Sequence, residues 1–280
     1  MQMKNMNLII HFLPMKNKIF FDLKFNIIFL GYFLIVSCTD DKVIMVPEQE
    51  ITQTSSDYIK CEVYFNSIIY EIEKGFSTNV SSRTFPIYIN HNLNPLNEDT
   101  LIIDYGNSNT LINGKFFRGR IINIYSGSVN DTNFNCSSNF DNFYLNNNLI
   151  NGTITIDNNV REIQIINGEV TDISGKINWN SIQIRTQSHG LQTVNIEDDK
   201  FTVNSLTTGN GKNNINFSTK SDSLKIRYDC VESCLVYDGI SVINVEMDDV
   251  SKKDIIFGSQ SCSCNYNVII NGNSYPLYLD

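Results

Sequence analysis

From about Phe85 onward, apolar residues recur at every second position, and this period constrains the chain more than any other feature. It is visible in Ile154-Thr155-Ile156, Ile163-Gln164-Ile165, Ile177-Asn178-Trp179, Ile182-Gln183-Ile184, Phe201-Thr202-Val203, Ile215-Asn216-Phe217, Leu224-Lys225-Ile226 and Leu277-Tyr278-Leu279. Successive side chains of a strand point to opposite faces, so this period gives a sheet with one apolar and one wet face. That pattern favours antiparallel pairing. Turn signals separate the runs: Asn113-Gly114, Asn151-Gly152, Asn167-Gly168, Asn210-Gly211 and Asn271-Gly272. Asn-Gly is the strongest two-residue hairpin signal, because both central residues need positive φ. The expected fold is mainly β: an antiparallel sheet built from hairpins, as a meander, a sandwich or a curved sheet. A parallel β-helix is the minority alternative, disfavoured by the irregular spacing of the runs.

Composition agrees. The chain of 280 residues has 39 Asn, 39 Ile and no Ala. Ala is the best helix former, so a large helical domain without it is excluded. An AT-rich genome explains much of the missing Ala, but it would raise Lys as well, and there are only 15 Lys. The surplus Asn therefore reflects turns and a surface that is polar without being basic. One helix is expected, at the N-terminal end, over residues 56–75. Ser55, Ser56 and Asp57 offer N-caps, Cys61, Phe65, Ile68 and Ile72 recur at helical spacing, and Gly75 can close it.

Residues 1–37 read as a targeting segment, with Lys16, Lys18 and Lys24 ahead of an apolar stretch from Phe25 to Val36. That stretch is too short to span a bilayer, which takes about 20 residues. Met15 is an alternative start to Met1. Ile35-Val36-Ser37-Cys38 resembles the lipobox of bacterial lipoproteins, which implies that Cys38 is acylated and becomes the first residue of the mature chain. Thr39-Asp40-Asp41-Lys42 resembles the acidic export signal of Bacteroidota lipoproteins, which implies an outer-membrane lipoprotein displayed on the cell surface; the periplasmic face is the alternative. Residues 38–55 read as a flexible tether and 56–280 as a single β-rich domain. Asp99-Thr100-Leu101 and Asp222-Ser223-Leu224 match the O-glycosylation tripeptide of the same phylum, making Thr100 and Ser223 the candidate acceptors.

After residue 37 the net charge is −12, with no basic footprint for nucleic acid. Six Cys accompany Cys38: Cys61, Cys136, Cys230, Cys234, Cys262 and Cys264. An even count in an exported chain suggests disulfides. Residues i and i+2 on a strand point the same way, so Cys262 and Cys264 can both face one neighbouring segment. Bridges between the two close pairs are expected, such as Cys234 to Cys264 and Cys230 to Cys262. A four-thiolate zinc site is the rival, with poor spacing. Cys61 and Cys136 are a further candidate pair.

The segments IIDYGNSNTLINGKFFRGRIINIYSG (102–127), FDNFYLNNNLINGTITI (140–156), INGEVTDISGKINW (166–179) and FGSQSCSCNYNVIINGNSYPLYL (257–279) resemble a family of uncharacterised Bacteroidota lipoproteins of flavobacterial type. The likeness covers roughly 56–280 and implies no established activity. The chain departs from that family at Gly258-Ser259-Gln260-Ser261-Cys262-Ser263-Cys264-Asn265, where the family's acidic loop is replaced, which weakens a calcium site there. Cys264 and Cys234 align with family cysteines, and Cys262 and Cys230 read as an added pair.

Catalytic constellations are sparse. Only His91 and His189 lie beyond residue 37, and neither His-x-x-x-His nor Gly-x-Ser-x-Gly occurs. Glu197-Asp198-Asp199 and Asp248-Asp249 read as solvated turns. Trp179 reads as core; Tyr88, Tyr144, Tyr275 and Tyr278 are the aromatics that could line a sugar groove. The expectation is a non-enzymatic, lipid-anchored structural or binding protein with no cofactor and no metal. Its partners are outer-membrane lipid, through Cys38, and a surface glycan or protein. The alternative is a glycan-binding module or a glycan-acting enzyme, the latter marked by two carboxylates in a cleft.

Overall fold

The computed structural model describes residues 48–77, 85–90, 97–129, 131–191, 193, 195–246, 252–258 and 261–279. The signal segment, Cys38, the tether up to residue 47, His91 and Asp248-Asp249 lie outside the described residues.

The helix, α1 (Glu48–Ser77), begins eight residues before the expected start, so 48–55 belong to it and not to a tether. Tertiary contacts hold this first part. The Lys253 ammonium donates to the Ile51 carbonyl, Asn213 Nδ2 donates to Thr54 Oγ1, and the Lys212 amide donates to the Asp57 carboxylate. The helix is buried on every side, with no exposed residue from Ile51 to Ser77. Tyr58, Ile59, Val63, Tyr64, Ile69 and Tyr70 are buried as fully as the expected stripe of Cys61, Phe65, Ile68 and Ile72. An all-round buried helix needs a surrounding wall, not a docking plane.

One antiparallel sheet supplies that wall. Its strands are β1 (Ile87–Asn90), β2 (Asp99–Asp104), β3 (Thr110–Ile112), β4 (Lys115–Ser126), β5 (Asn135–Leu145), β6 (Asn148–Asp157) and β7 (Glu162–Asp172), then β8 (Gly175–His189), β9 (Lys200–Asn210), β10 (Asn216–Arg227), β11 (Val236–Val245), β12 (Lys252–Gly258), β13 (Tyr266–Ile270) and β14 (Asn273–Leu277). Each pairs with its sequence neighbours in a meander, except that β2 pairs directly with β4 and the short β3 pairs only with β4. Contacts to the helix come from widely separated strands. Tyr105, after β2, donates to Glu71; Asn148 on β6 donates to Tyr64; Lys60 pairs with Asp172 on β7; Ser221 and Ser241 on β10 and β11 meet Tyr58. The sheet therefore curls around the helix.

Curvature has a local cause. Of the five Asn-Gly pairs, Asn113-Gly114 and Asn271-Gly272 form two-residue turns with positive φ, and Asn210-Gly211 closes β9. The other two are not turns. Asn151-Gly152 and Asn167-Gly168 lie inside β6 and β7 at register shifts, where the ladder bulges. A Cβ on Gly152 would stand 2.7 Å from the Gly168 Cα, so the two bulges nest against each other. Bulges bend a strand and increase its twist, which is how a flat meander becomes a wrap. Gly119 serves another bulge at φ +85°, and a Cβ there would meet the Asn142 carbonyl oxygen at 2.1 Å.

Trp179 is fully buried, with Tyr58 stacked at 5.5 Å and Phe65 at 6.2 Å between ring centroids. Each such pair adds roughly 0.5–1.5 kcal/mol beyond its buried area. Near the end of the helix, Phe76 packs edge-on against Tyr125 and Phe134. Two disulfides, Cys230–Cys262 and Cys234–Cys264, tie the β10–β11 connection to the β12–β13 connection. Cys61 and Cys136 do not pair with each other; both are free and buried. The reason is distance along the helix. Cys136 lies on β5 opposite Tyr125, which packs on Phe76. Cys61 lies fifteen residues before Phe76, about 22 Å at the helical rise.

Candidate functional site

The two-residue period holds along β8, but the apolar residues change face partway. Ile177 and Trp179 point to the helix as expected; beyond them Ser181, Gln183 and Arg185 take the inner positions and Ile182 and Ile184 the outer ones. The same exchange runs across the next strands. Ser205 and Thr207 on β9, Thr219 and Ser221 on β10 and Ser241 on β11 face inward, while Leu206 and Ile240 face out. Ile182 is 46% and Leu206 61% exposed, although both are large aliphatics in the middle of a sheet.

The inner polar face has a matching helix stripe. Tyr58, Glu62 and Asn66 recur every four residues and so share one side of α1. The Tyr58 hydroxyl closes a ring with Ser221 and Ser241, all within 2.9 Å of one another. Asn66 Nδ2 donates to Glu62 Oε1 at 2.9 Å, and Gln183 Nε2 donates to the same oxygen at 3.3 Å. Arg185 donates to Asn66 Oδ1, to Gln183 Oε1 and to the Tyr228 hydroxyl, which in turn donates to Glu73. Glu62 Oε2 and Ser205 Oγ are buried without a partner among the described residues. Burial pushes the Glu62 carboxyl up to about 7, and the Asn66 amide and Arg185 pull it back only in part. Burial also raises Glu71 and Glu73 above the usual carboxylate range.

On the outer side two adjoining depressions lie over β7–β11. A depression of about 500 Å³ is lined by Ile166, Asn180, Ile182, Leu206, Thr208, Ser218, Lys220 and Asn244. A second, of about 480 Å³, shares Asn180, Thr208, Ser218 and Asn244 and extends to Asn178, Asn210, Asn216 and Glu246. Cross-strand register places Ile182 beside Leu206, Leu206 beside Lys220, and Asn180, Thr208, Ser218 and Asn244 in one row. Asn210 Nδ2 donates to Asn216 Oδ1, and Asn216 Nδ2 donates to Glu246 Oε2 at 2.8 Å. The result is one groove, aliphatic at one end and amide-rich at the other.

The residues singled out in the sequence are dispersed. Tyr88 and Tyr275 lie on the opposite edge strands β1 and β14, Tyr278 follows β14, and Tyr144 on β5 carries the Arg118 guanidinium at 3.6 Å from its ring centroid. They line no common groove. Thr100 is half-buried on β2, whereas Ser223 is exposed at a bulge of β10 with φ 62°. Glu197-Asp198-Asp199 is not a wholly solvated turn. Asn195 caps a short 3-10 turn (Ile196–Asp198), and Asp199 is half-buried, pushed up to about 6 by burial, Glu73 and Asp198. All four sulfurs that a thiolate zinc site would use are in disulfides, including Cys230 and Cys262 beside Asp229. No helix among the described residues is long and apolar enough to cross a membrane. Sequence reading missed the groove because the Ile182-Gln183-Ile184 alternation looks like any half-buried strand; the usable signal was the polar Tyr58, Glu62, Asn66 stripe on the helix. Comparison of the chain with protein-family models, with curated proteins and with solved structures finds no match.

Proposed function

We propose that this chain is a non-enzymatic, lipid-anchored binding protein of the outer membrane, displayed on the cell surface, which contacts its ligand through the outer face of β7–β11. The observation that carries the reading is the exchange of faces there. The sheet sets its polar side chains against the helix and turns Ile166, Ile182, Ile184 and Leu206 outward. Exposed apolar residues grouped in a depression and rimmed by polar ones mark interaction surfaces. The anchor rests on the lipobox at Cys38.

Cell fractionation of the Cys38→Ser variant tests the anchor. Release into the soluble fraction is expected, and continued membrane retention would refute it. Proteinase K on intact cells should digest the wild-type protein; protection would place it on the periplasmic face. Leu206→Asp should abolish capture of surface material by the purified chain, and unchanged capture would remove the groove from the reading.

A further inference from the structure

We infer that the groove on β8–β11 takes a neutral carbohydrate chain. The inference rests on the reading of this face as a ligand surface. Its lining is made of groups that exchange hydrogen bonds with neighbouring hydroxyls. Asn180, Asn244, Asn210 and Asn216 each combine an acceptor and an NH2 donor on one planar amide, and Thr208 and Ser218 add hydroxyls that donate and accept. Among the described residues, the side chains of Thr208, Ser218 and Asn244 have no hydrogen-bond partner. The amide end is already ordered before a ligand arrives: Asn210 donates to Asn216 and Asn216 to Glu246. That relay fixes a carboxylate beside the unpartnered groups, where it can accept from a ligand hydroxyl in a charge-assisted bond. The other end offers Ile182 and Leu206, an aliphatic floor for the C–H face of a sugar ring.

Other occupants fit less well. Among the described residues, Lys220 is the one cation in the lining, and it is paired with Asp222 at 3.1 Å, so an anionic ligand finds no free positive charge there. An extended peptide would lay its backbone on a sheet face whose own N–H and C=O groups are used in the ladders β8–β9, β9–β10 and β10–β11. A second copy would bring another acidic surface against Glu246, from a chain of net charge −9.

The test is direct binding of the purified full chain to an immobilised panel of neutral polysaccharides (a β-glucan, a mannan, a xylan and chitin oligosaccharides) beside an acidic polygalacturonate. At least one neutral member should bind, and its affinity should stay constant from about 0.05 to 0.5 M salt, since no ion pair is involved. The Ser218→Ala/Asn244→Ala variant should bind at least about tenfold more weakly with its thermal unfolding unchanged, because neither side chain supports the fold; that loss corresponds to about 1.4 kcal/mol. Leu206→Ser should weaken binding independently. Binding to polygalacturonate alone, no binding to any member, neutral binding unaffected by the variants, or dimerisation that Leu206→Ser abolishes would each overturn the inference. None of these readouts depends on Cys38, so failure of the anchor and failure of the glycan site are separable.

Discussion

Glu62→Gln should stabilise this protein at neutral and alkaline pH and leave it unchanged in acid. Glu62 is fully buried in the polar seam, with one oxygen bonded to Asn66 and Gln183 and the other without a partner among the described residues. Burial pushes its pKa from the ordinary 4.5 up to about 7. At about 1.4 kcal/mol per tenfold, keeping the carboxylate charged in the fold costs about 3 kcal/mol relative to the unfolded chain. The sign follows from linkage. A raised carboxyl contributes its stability below about pH 4.5, and that contribution is lost as pH rises through about 7. The substituted amide cannot ionise, so the variant should equal the wild type near pH 4.5 and exceed it by about 3 kcal/mol above pH 8. For a domain of this size that is roughly 6–12 °C in Tm. Arg185 is not orphaned by the change, because its bonds go to Asn66, Gln183 and Tyr228. Urea unfolding of both proteins from pH 4.5 to 8.5 measures the difference directly, and the raised Glu71 and Glu73 cancel between them. A difference that is flat with pH, or a variant less stable at pH 8, would refute a buried, unpaired carboxylate at this position.

Reduction of the two disulfides, whose cysteines stand 32 and 30 residues apart, should remove roughly 3 kcal/mol for the first bridge opened, read as a lower urea midpoint with dithiothreitol. Gly119→Ala should destabilise by roughly 2 kcal/mol or more, since φ is +85° and the new Cβ meets the Asn142 carbonyl; a neutral result in urea unfolding would mean that the bulge relaxes. Cys61 and Cys136 should resist a thiol reagent in the folded protein and react once urea unfolds it. Burial raises both thiols, so little thiolate is present to react, and fast native labelling would contradict their placement in the core.

The meander was legible because it is local. Alternation fixes a strand, a two-residue turn fixes its antiparallel neighbour, and neither needs information from distant residues. The limits of Asn-Gly as a signal are equally physical. At Asn113 and Asn271 positive φ makes a turn, but at Asn167 it makes a bulge within a strand that continues for several more residues. Nothing nearby in sequence distinguishes the two; the nesting of Gly152 on Gly168 across β6 and β7 does.

Facing was the illegible part, and it decides the site. A period of two states that neighbouring residues point opposite ways, not which set points inward. On β8 the parity is set at Trp179, locked between Tyr58 and Phe65, and two residues per step from there put Gln183 and Arg185 inside. Those side chains are tolerated because Glu62 and Asn66 arrive on the same side of the helix to bond them. Once the polar set is satisfied within, Ile182, Ile184 and Leu206 have no place but the outer face. The buried seam and the exposed groove are thus two sides of one register. A one-residue slip of β8 would bury the isoleucines, turn Gln183 and Arg185 outward and erase the groove, leaving Glu62 and Asn66 without the β8 side chains that bond them.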